Sequence, residues 1–203
     1  MNEFKMIVEK AKIEHVVKIS KLHKEGIPTG FLSKQSDDFL INLYKYLIKN
    51  EIVFVAKDEA NDVIGFVSAT LTTQGLYKKF LKSNFSVLLK FIFKNLFSIE
   101  FLKKSFETFL APKKTQINEL QNDLSELLSI VVDKNTKSKG IGQALVDALD
   151  NELSSIGVKE YKVLVGTKLP ANKFYQKKGF KLYKEVELHK GEKSNIYIKN
   201  TKG

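Results

Sequence analysis

Cysteine and arginine are absent from this 203-residue chain, and histidine occurs only at His15, His23 and His189. Without cysteine there are no disulfides, no thiolate metal sites and no thiol nucleophile. The three histidines are scattered and form no ligand cluster, so a metal enzyme is not expected. No run approaches the ~18 apolar residues of a membrane-spanning helix, and the opening MNEFKMIVEK has no apolar signal region. The expectation is a cytoplasmic protein. Lysine alone supplies the basic residues behind the formal net charge of +11. Base-edge recognition and bidentate phosphate clamps draw on arginine, so sequence-specific nucleic-acid binding is not expected. A diffuse lysine surface serves solvation and a general attraction for anionic ligands.

What is present suits one α/β domain over residues 1–203, long enough to bury a core. Its organising stretch is LLSIVVDKNTKSKGIG, from Leu127 to Gly142. Leu127, Leu128, Ile130, Val131 and Val132 read as a buried strand. A polar loop, Asp133 to Lys139, follows. Gly140-Ile141-Gly142 then opens a helix with apolar residues at Ile141, Ala144, Leu145, Ala148, Leu149, Leu153 and Ile156. The first N–H groups of a helix have no internal partners and sit at the positive end of its dipole. Two glycines take away side chains that would hold a phosphate off those amides. A pyrophosphate ligand is the expectation. It is not that of a P-loop, because no glycine stands five residues before a Gly-Lys-Ser/Thr string. Nor is it that of a dinucleotide fingerprint, whose third glycine is replaced by Leu145.

Lys137-Ser138-Lys139-Gly140-Ile141-Gly142 resembles the acyl-CoA loop of the GNAT acetyltransferase superfamily, with lysine where glutamine or arginine usually stands. A second resemblance lies in Ala171-Asn172-Lys173-Phe174-Tyr175-Gln176-Lys177-Lys178-Gly179-Phe180, a tyrosine followed four residues later by Gly-Phe. The family often has an asparagine seven residues before that tyrosine. Here the position is Lys168, and Asn172 is the candidate for the polar contact to pantetheine.

The rest of the chain fits the same plan. Lys5 to Lys10 reads as an edge strand, Ile13 to Lys24 and Ser36 to Lys49 as amphipathic helices, and Gly26 to Gly30 as the break between them. Ile52 to Ala56 and Val63 to Leu71 form a hairpin. Glu160 to Gly166 is a strand, and Pro170 opens a short helix, Ala171 to Lys178, closed by Gly179. Phe180 to His189 and Asn195 to Lys199 make a last hairpin. The fold the resemblance implies is α/β of GNAT type: a twisted, mostly antiparallel sheet of six to seven strands flanked by helices. Residues 73–114 are extra to it. They hold eight of the fifteen phenylalanines and carry nine lysines against two glutamates, and they read as two helices broken near Ser83-Asn84 or Ser98. A lid over the acceptor site, a homodimer contact, a plain packed pair and a basic anchor on a membrane surface are the readings. Packing or lid is favoured, because the apolar residues spread too far round for an interfacial face.

The resemblance implies an acetyl-CoA-dependent N-acetyltransferase that moves the acetyl group by direct attack in a ternary complex, with no metal. It implies that Ile130, Val131 and Val132 present backbone to pantetheine and that residues 137–142 hold the diphosphate. Tyr175 matches the residue that protonates the leaving sulfur, and Glu126 the one that deprotonates the amine. His23, Glu25, Gly30 and Phe31 lie where the fold walls the acceptor. The stretch His23 to Tyr44 resembles members that act on amino sugars of glycan biosynthesis, so a small-molecule amine is the expected partner. The alternatives are a protein amino group or a polyamine, or a non-catalytic acyl-CoA-binding or membrane-associating module.

Overall fold

The computed structural model describes residues 5–28, 30–84, 124–136, 139–189 and 192–201. Its strands are β1 (Ile7–Lys10), β2 (Ile52–Lys57), β3 (Val63–Thr70), β4 (Ser125–Val132), β5 (Glu160–Gly166), β6 (Lys181–His189) and β7 (Glu192–Asn200). The described α-helices are α1 (Val16–Gly26), α2 (Asp37–Asn50), α3 (Leu76–Ser83), α4 (Ile141–Ser155) and α5 (Ala171–Lys177). The seven strands form one sheet in the order β1-β2-β3-β4-β5-β7-β6, antiparallel throughout except for β4 beside β5. This is the architecture that the resemblance to the GNAT superfamily implies.

Each element has a local cause. Ser36 caps α2, its Oγ accepting from the Phe39 N–H at 3.2 Å, and Asp37 and Asp38 place negative charge on the positive end of the dipole. Phe39, Leu40, Leu43, Tyr44 and Leu47 then recur at helical spacing and are all buried. β3 is buried at every position, as a central strand covered on both faces must be. α5 ends where Gly179 takes φ +82°, a left-handed position that glycine occupies without strain. The first helix differs from its expected start: Ile13–His15 is a 3₁₀ turn, and the α-helix begins at Val16.

Two apolar cores lie on opposite faces of the sheet. Val16, Ile19, Leu22, Leu40, Leu43, Phe66 and Val131 join α1 and α2 to one face. Phe54, Val67, Leu127, Leu145, Leu149 and Tyr161 join α4 to the other. α3 belongs to the first core, with Phe80 fully buried and packed edge-on to Phe39 and Tyr46. It ends at Ser83, where the sequence expects a break. The remainder of the insertion, from residue 85 onward, lies outside the described residues. Among those described, no helix is long and apolar enough to cross a membrane.

A buried ion pair fastens α4 to the sheet. Asp150 is fully buried, accepting from the Tyr161 hydroxyl at 2.7 Å and from Lys199 Nζ at 2.5 Å. It thereby ties the helix to β5 and β7, and a charge so deep is tolerated only because both partners reach it.

Candidate active site

The site begins where the sheet comes apart. β4 and β5 are paired only at Ser125–Leu127 against Tyr161–Val163. Beyond that point β5 stays with β7 as far as Gly166, while β4 stays with β3 as far as Val132. Residues 128–132 therefore present one backbone edge to a widening cleft. The register between β3 and β4 also shifts there: Ser68 faces Ser129 and Ala69 faces Leu127, which leaves Leu128 as the extra residue of a bulge. A bulge bends and twists its strand and so aims the following backbone away from its neighbour. Edge groups of this kind can take up an extended ligand as though it were another strand.

At the end of β4 the chain turns through Asp133, whose carbonyl accepts from the Thr136 N–H and whose Oδ1 accepts from the Asn135 N–H, both at 2.9 Å. Lys137 and Ser138 lie outside the described residues. Lys139 and Gly140 are exposed, and Gly140 takes φ +76° as the N-cap of α4. A Cβ added at Gly140 would meet nothing within 4 Å, so the space above the helix end is open. Ile141 is 1% exposed, its side chain buried in the α4 core, and only its main chain is offered to a ligand. Gly142 has a different reason for lacking a side chain: its Cβ would lie 3.0 Å from the Phe174 ring of α5. One glycine sets the turn, and the other lets α4 and α5 touch.

Tyr175 lies on the α4 face, in the same apolar cluster as Ile130 and Val132. It is 6% exposed, packed edge-on to Phe174 and Phe180 and stacked on Tyr197. Burial pushes its hydroxyl pKa upward, so it keeps its proton at neutral pH. Asn172, one turn earlier, is a junction. Its amide donates to the carbonyls of Gly166, Thr167 and Leu169, and its Oδ1 accepts from Asn195 Nδ2 at 2.9 Å and the Tyr197 hydroxyl at 3.0 Å. These bonds commit the side chain to holding α5 against the ends of β5 and β7.

On the other face, Glu126 stands at the closed end of the cleft. Its side chain is 16% exposed and lies 3.5 Å from Nζ of Lys162, which is itself buried. Burial raises the Glu126 pKa, and the Lys162 ammonium opposes that rise. Tyr77 of α3 feels both burial and the Glu126 charge, which push it up to about 12. His23 is 2% exposed and shares a 2.6 Å hydrogen bond between Nδ1 and the Tyr44 hydroxyl. Burial pulls its pKa down to about 4, so it is neutral at pH 7. Glu25 is exposed beside Lys21. Gly30 and Phe31 lie in the α1–α2 connection, where Phe31 packs against the core and its carbonyl accepts from Gln35 Nε2. Lys162, Ser68 and Ser129 carry no sequence signal of a site, and Tyr44 reads there only as part of the apolar face of α2. Each is an unremarked polar residue in an apolar pattern, and nothing local marks its partner. Among the described residues no cluster of three or more His, Cys, Asp or Glu could hold a metal ion.

A parted β4–β5 pair beside a glycine-opened helix is the arrangement that the resemblance to GNAT acetyltransferases implies. In agreement with it, a family model described as an acetyltransferase (GNAT) domain matches residues 97–193. The whole chain also superposes on an N-acetyltransferase from Staphylococcus aureus Mu50, with a TM-score of 0.63 and 17% identity over 98% of this chain and 99% of that one. It superposes on the ribosomal-protein-S18-alanine N-acetyltransferase of Escherichia coli with a TM-score of 0.59 and 12% identity, over 97% and 94% of the chains. Ard1 from Thermoplasma volcanium gives 0.61 and 12% over 98% and 99%. No curated protein sequence matches. At these identities the superpositions show the fold. The family match covers residues 97–193, a little under half of the chain.

Proposed function

We propose that the protein transfers the acetyl group of acetyl-CoA to a primary amine by direct attack within a ternary complex. The observation that carries this reading is the free edge of β4 running into the open N-terminus of α4. The amides from Lys139 to Gly142, with Lys137 and Ser138 before them, would take the diphosphate. Backbone groups of Ile130, Val131 and Val132 would take the pantetheine arm. A fixed N–H on that edge would also receive the oxygen of the acetyl group as it gains charge in the tetrahedral intermediate.

An alkylamine is mostly protonated at neutral pH, with a pKa near ~10.4, and must lose a proton before it attacks. Glu126 is the proposed base, acting through water. Burial raises its pKa, and the Lys162 ammonium opposes that rise. The amine nitrogen then bonds to the thioester carbon, the C–S bond breaks, the leaving sulfur takes the proton of the Tyr175 hydroxyl, and the proton the nitrogen sheds as it becomes an amide returns through water to that hydroxyl. The Tyr175 hydroxyl holds its proton at neutral pH, so one is available when the thiolate forms. Asn172 serves by holding α5, and with it Tyr175, in place.

The acceptor side is the α1–α2 connection with Gly30 and Phe31, and an amino sugar, free or nucleotide-linked, is the acceptor the His23 to Tyr44 segment favours. Thiol release from acetyl-CoA over a panel of amino sugars, polyamines and N-terminal peptides tests this. Turnover with amino sugars alone is expected, and release with peptides alone would replace that acceptor with a protein amine. Tyr175→Phe keeps the ring packing and loses the acid, so turnover should fall on the order of a hundredfold with CoA affinity retained. Unchanged turnover removes the role.

A further inference from the structure

Behind the bulge of β4 lies a cavity of about 20 Å³, lined by α2, α3, β3, β4 and Leu32. Most of its wall is apolar, but one end is formed by Ser68, Ser129 and Tyr44. Ser68 is 1% exposed, and its Oγ completes no hydrogen bond. The Tyr44 hydroxyl is committed on one side to His23 Nδ1 and faces the Ser129 and Ser68 hydroxyls on the other. A buried hydroxyl without a partner is costly. An ordered water needs roughly 10–15 Å³ and two to four polar partners, and this cavity offers both.

Its position gives the site a consequence. Ser68 and Ser129 are cross-strand partners immediately beside Leu128, the extra residue of the bulge. Joining their hydroxyls to Tyr44 of α2 fixes the bulge at the point where β4 leaves β5. We propose that one ordered water bridges Ser68 Oγ, Ser129 Oγ and the Tyr44 hydroxyl, and that this bridge, anchored by His23, holds the free edge of β4 in the shape that takes up the coenzyme. The second half rests on the reading of that edge as the acetyl-CoA site. Ser68 and Ser129 are then positioning residues.

High-resolution crystals of the ligand-free protein should show a water within hydrogen-bond distance of all three oxygens. No density there, or Ser68 Oγ turned onto a backbone carbonyl, overturns the proposal. Threonine and valine are nearly the same size, and only threonine keeps a hydroxyl. Calorimetric titration with CoA, run well below each variant's Tm, should give a Kd raised roughly fivefold in Ser68→Val and near the wild-type value in Ser68→Thr. Equal affinities in the two overturn the positioning role, since packing alone then accounts for the data. Should Ser68→Val not fold, Ser129→Val against Ser129→Thr makes the same comparison. Wild-type protein that binds CoA without showing the water sinks this inference alone. Wild-type protein that shows the water but binds no CoA sinks the coenzyme reading, and the positioning role with it.

Discussion

His23 is a buried imidazole held neutral, and that state has a cost which pH can expose. Its pKa is about 4 in the folded protein, against ~6.5 for a free side chain. Between those values the unfolded chain binds a proton that the folded chain does not, so acidification favours unfolding. The stability tied to neutral His23 is fully present above ~6.5 and is lost as pH falls toward 4, on the order of 3 kcal/mol. His23→Gln keeps a polar partner for Tyr44 and does not titrate. Urea unfolding at pH 7 and pH 4.5 should show the variant losing about 2–3 kcal/mol less than wild type, and equal losses would contradict the assignment. Lys162 offers a second test at this scale. It is the charge that opposes the burial of Glu126, so Lys162→Met should move the Glu126 carboxyl titration, followed by NMR, to higher pH. An unmoved or lowered titration would mean that another group sets the Glu126 pKa. Neither pairing was legible in the sequence. Tyr44 lies 21 residues from His23 and Lys162 lies 36 from Glu126, and only the fold joins them.

Helices approach the sheet closely where glycine permits it. A Cβ at Gly26, the last residue of α1, would fall 2.4 Å from Cγ1 of Val131 on β4. Gly26→Ala should therefore destabilise by about 1–3 kcal/mol, measured by urea unfolding, and Val131→Ala should relieve most of that loss. No relief would show that α1 does not rest on β4 as described. The glycines of the loop part company under the same logic. Gly140→Ala meets no neighbour but must hold a left-handed backbone, at about 1–2 kcal/mol, whereas Gly142→Ala presses on Phe174. Phe174→Leu should rescue the second and leave the first unchanged in thermal unfolding; rescue of both, or of neither, would contradict the separate roles. The glycines themselves were legible in the sequence as a helix-opening pair. That one serves the turn and the other serves contact with α5 was not, because Phe174 is 32 residues away. Asn172 is a similar case. Its place before Tyr175 suggests a ligand contact, and the bonds by which its side chain joins β5, α5 and β7 are seen only in the fold.

Across the whole molecule, the layout could be read because periodicity and caps act locally. The apolar face of α2, the hairpin of β2 and β3 and the stop at Gly179 each follow from residues within one or two turns. The cleft could not be read this way. The point at which β4 leaves β5 depends on a bulge at Leu128 and on β7 taking the other edge of β5, relations among residues from 28 (Gly166 and Ser194) to 67 (Gly65 and Val132) positions apart. Its location came from the resemblance to a family, and the structure supplies the physical form: a sheet opened along one seam, with a helix end at its mouth. The central claim is that this seam and that helix end together bind acetyl-CoA. Titrating CoA into isotopically labelled protein and following assigned backbone amides by NMR tests it most directly. Saturable shifts concentrated at Leu128–Val132 and Lys139–Ala144 are expected. No shifts on adding CoA, or shifts gathered elsewhere on the surface, would contradict it.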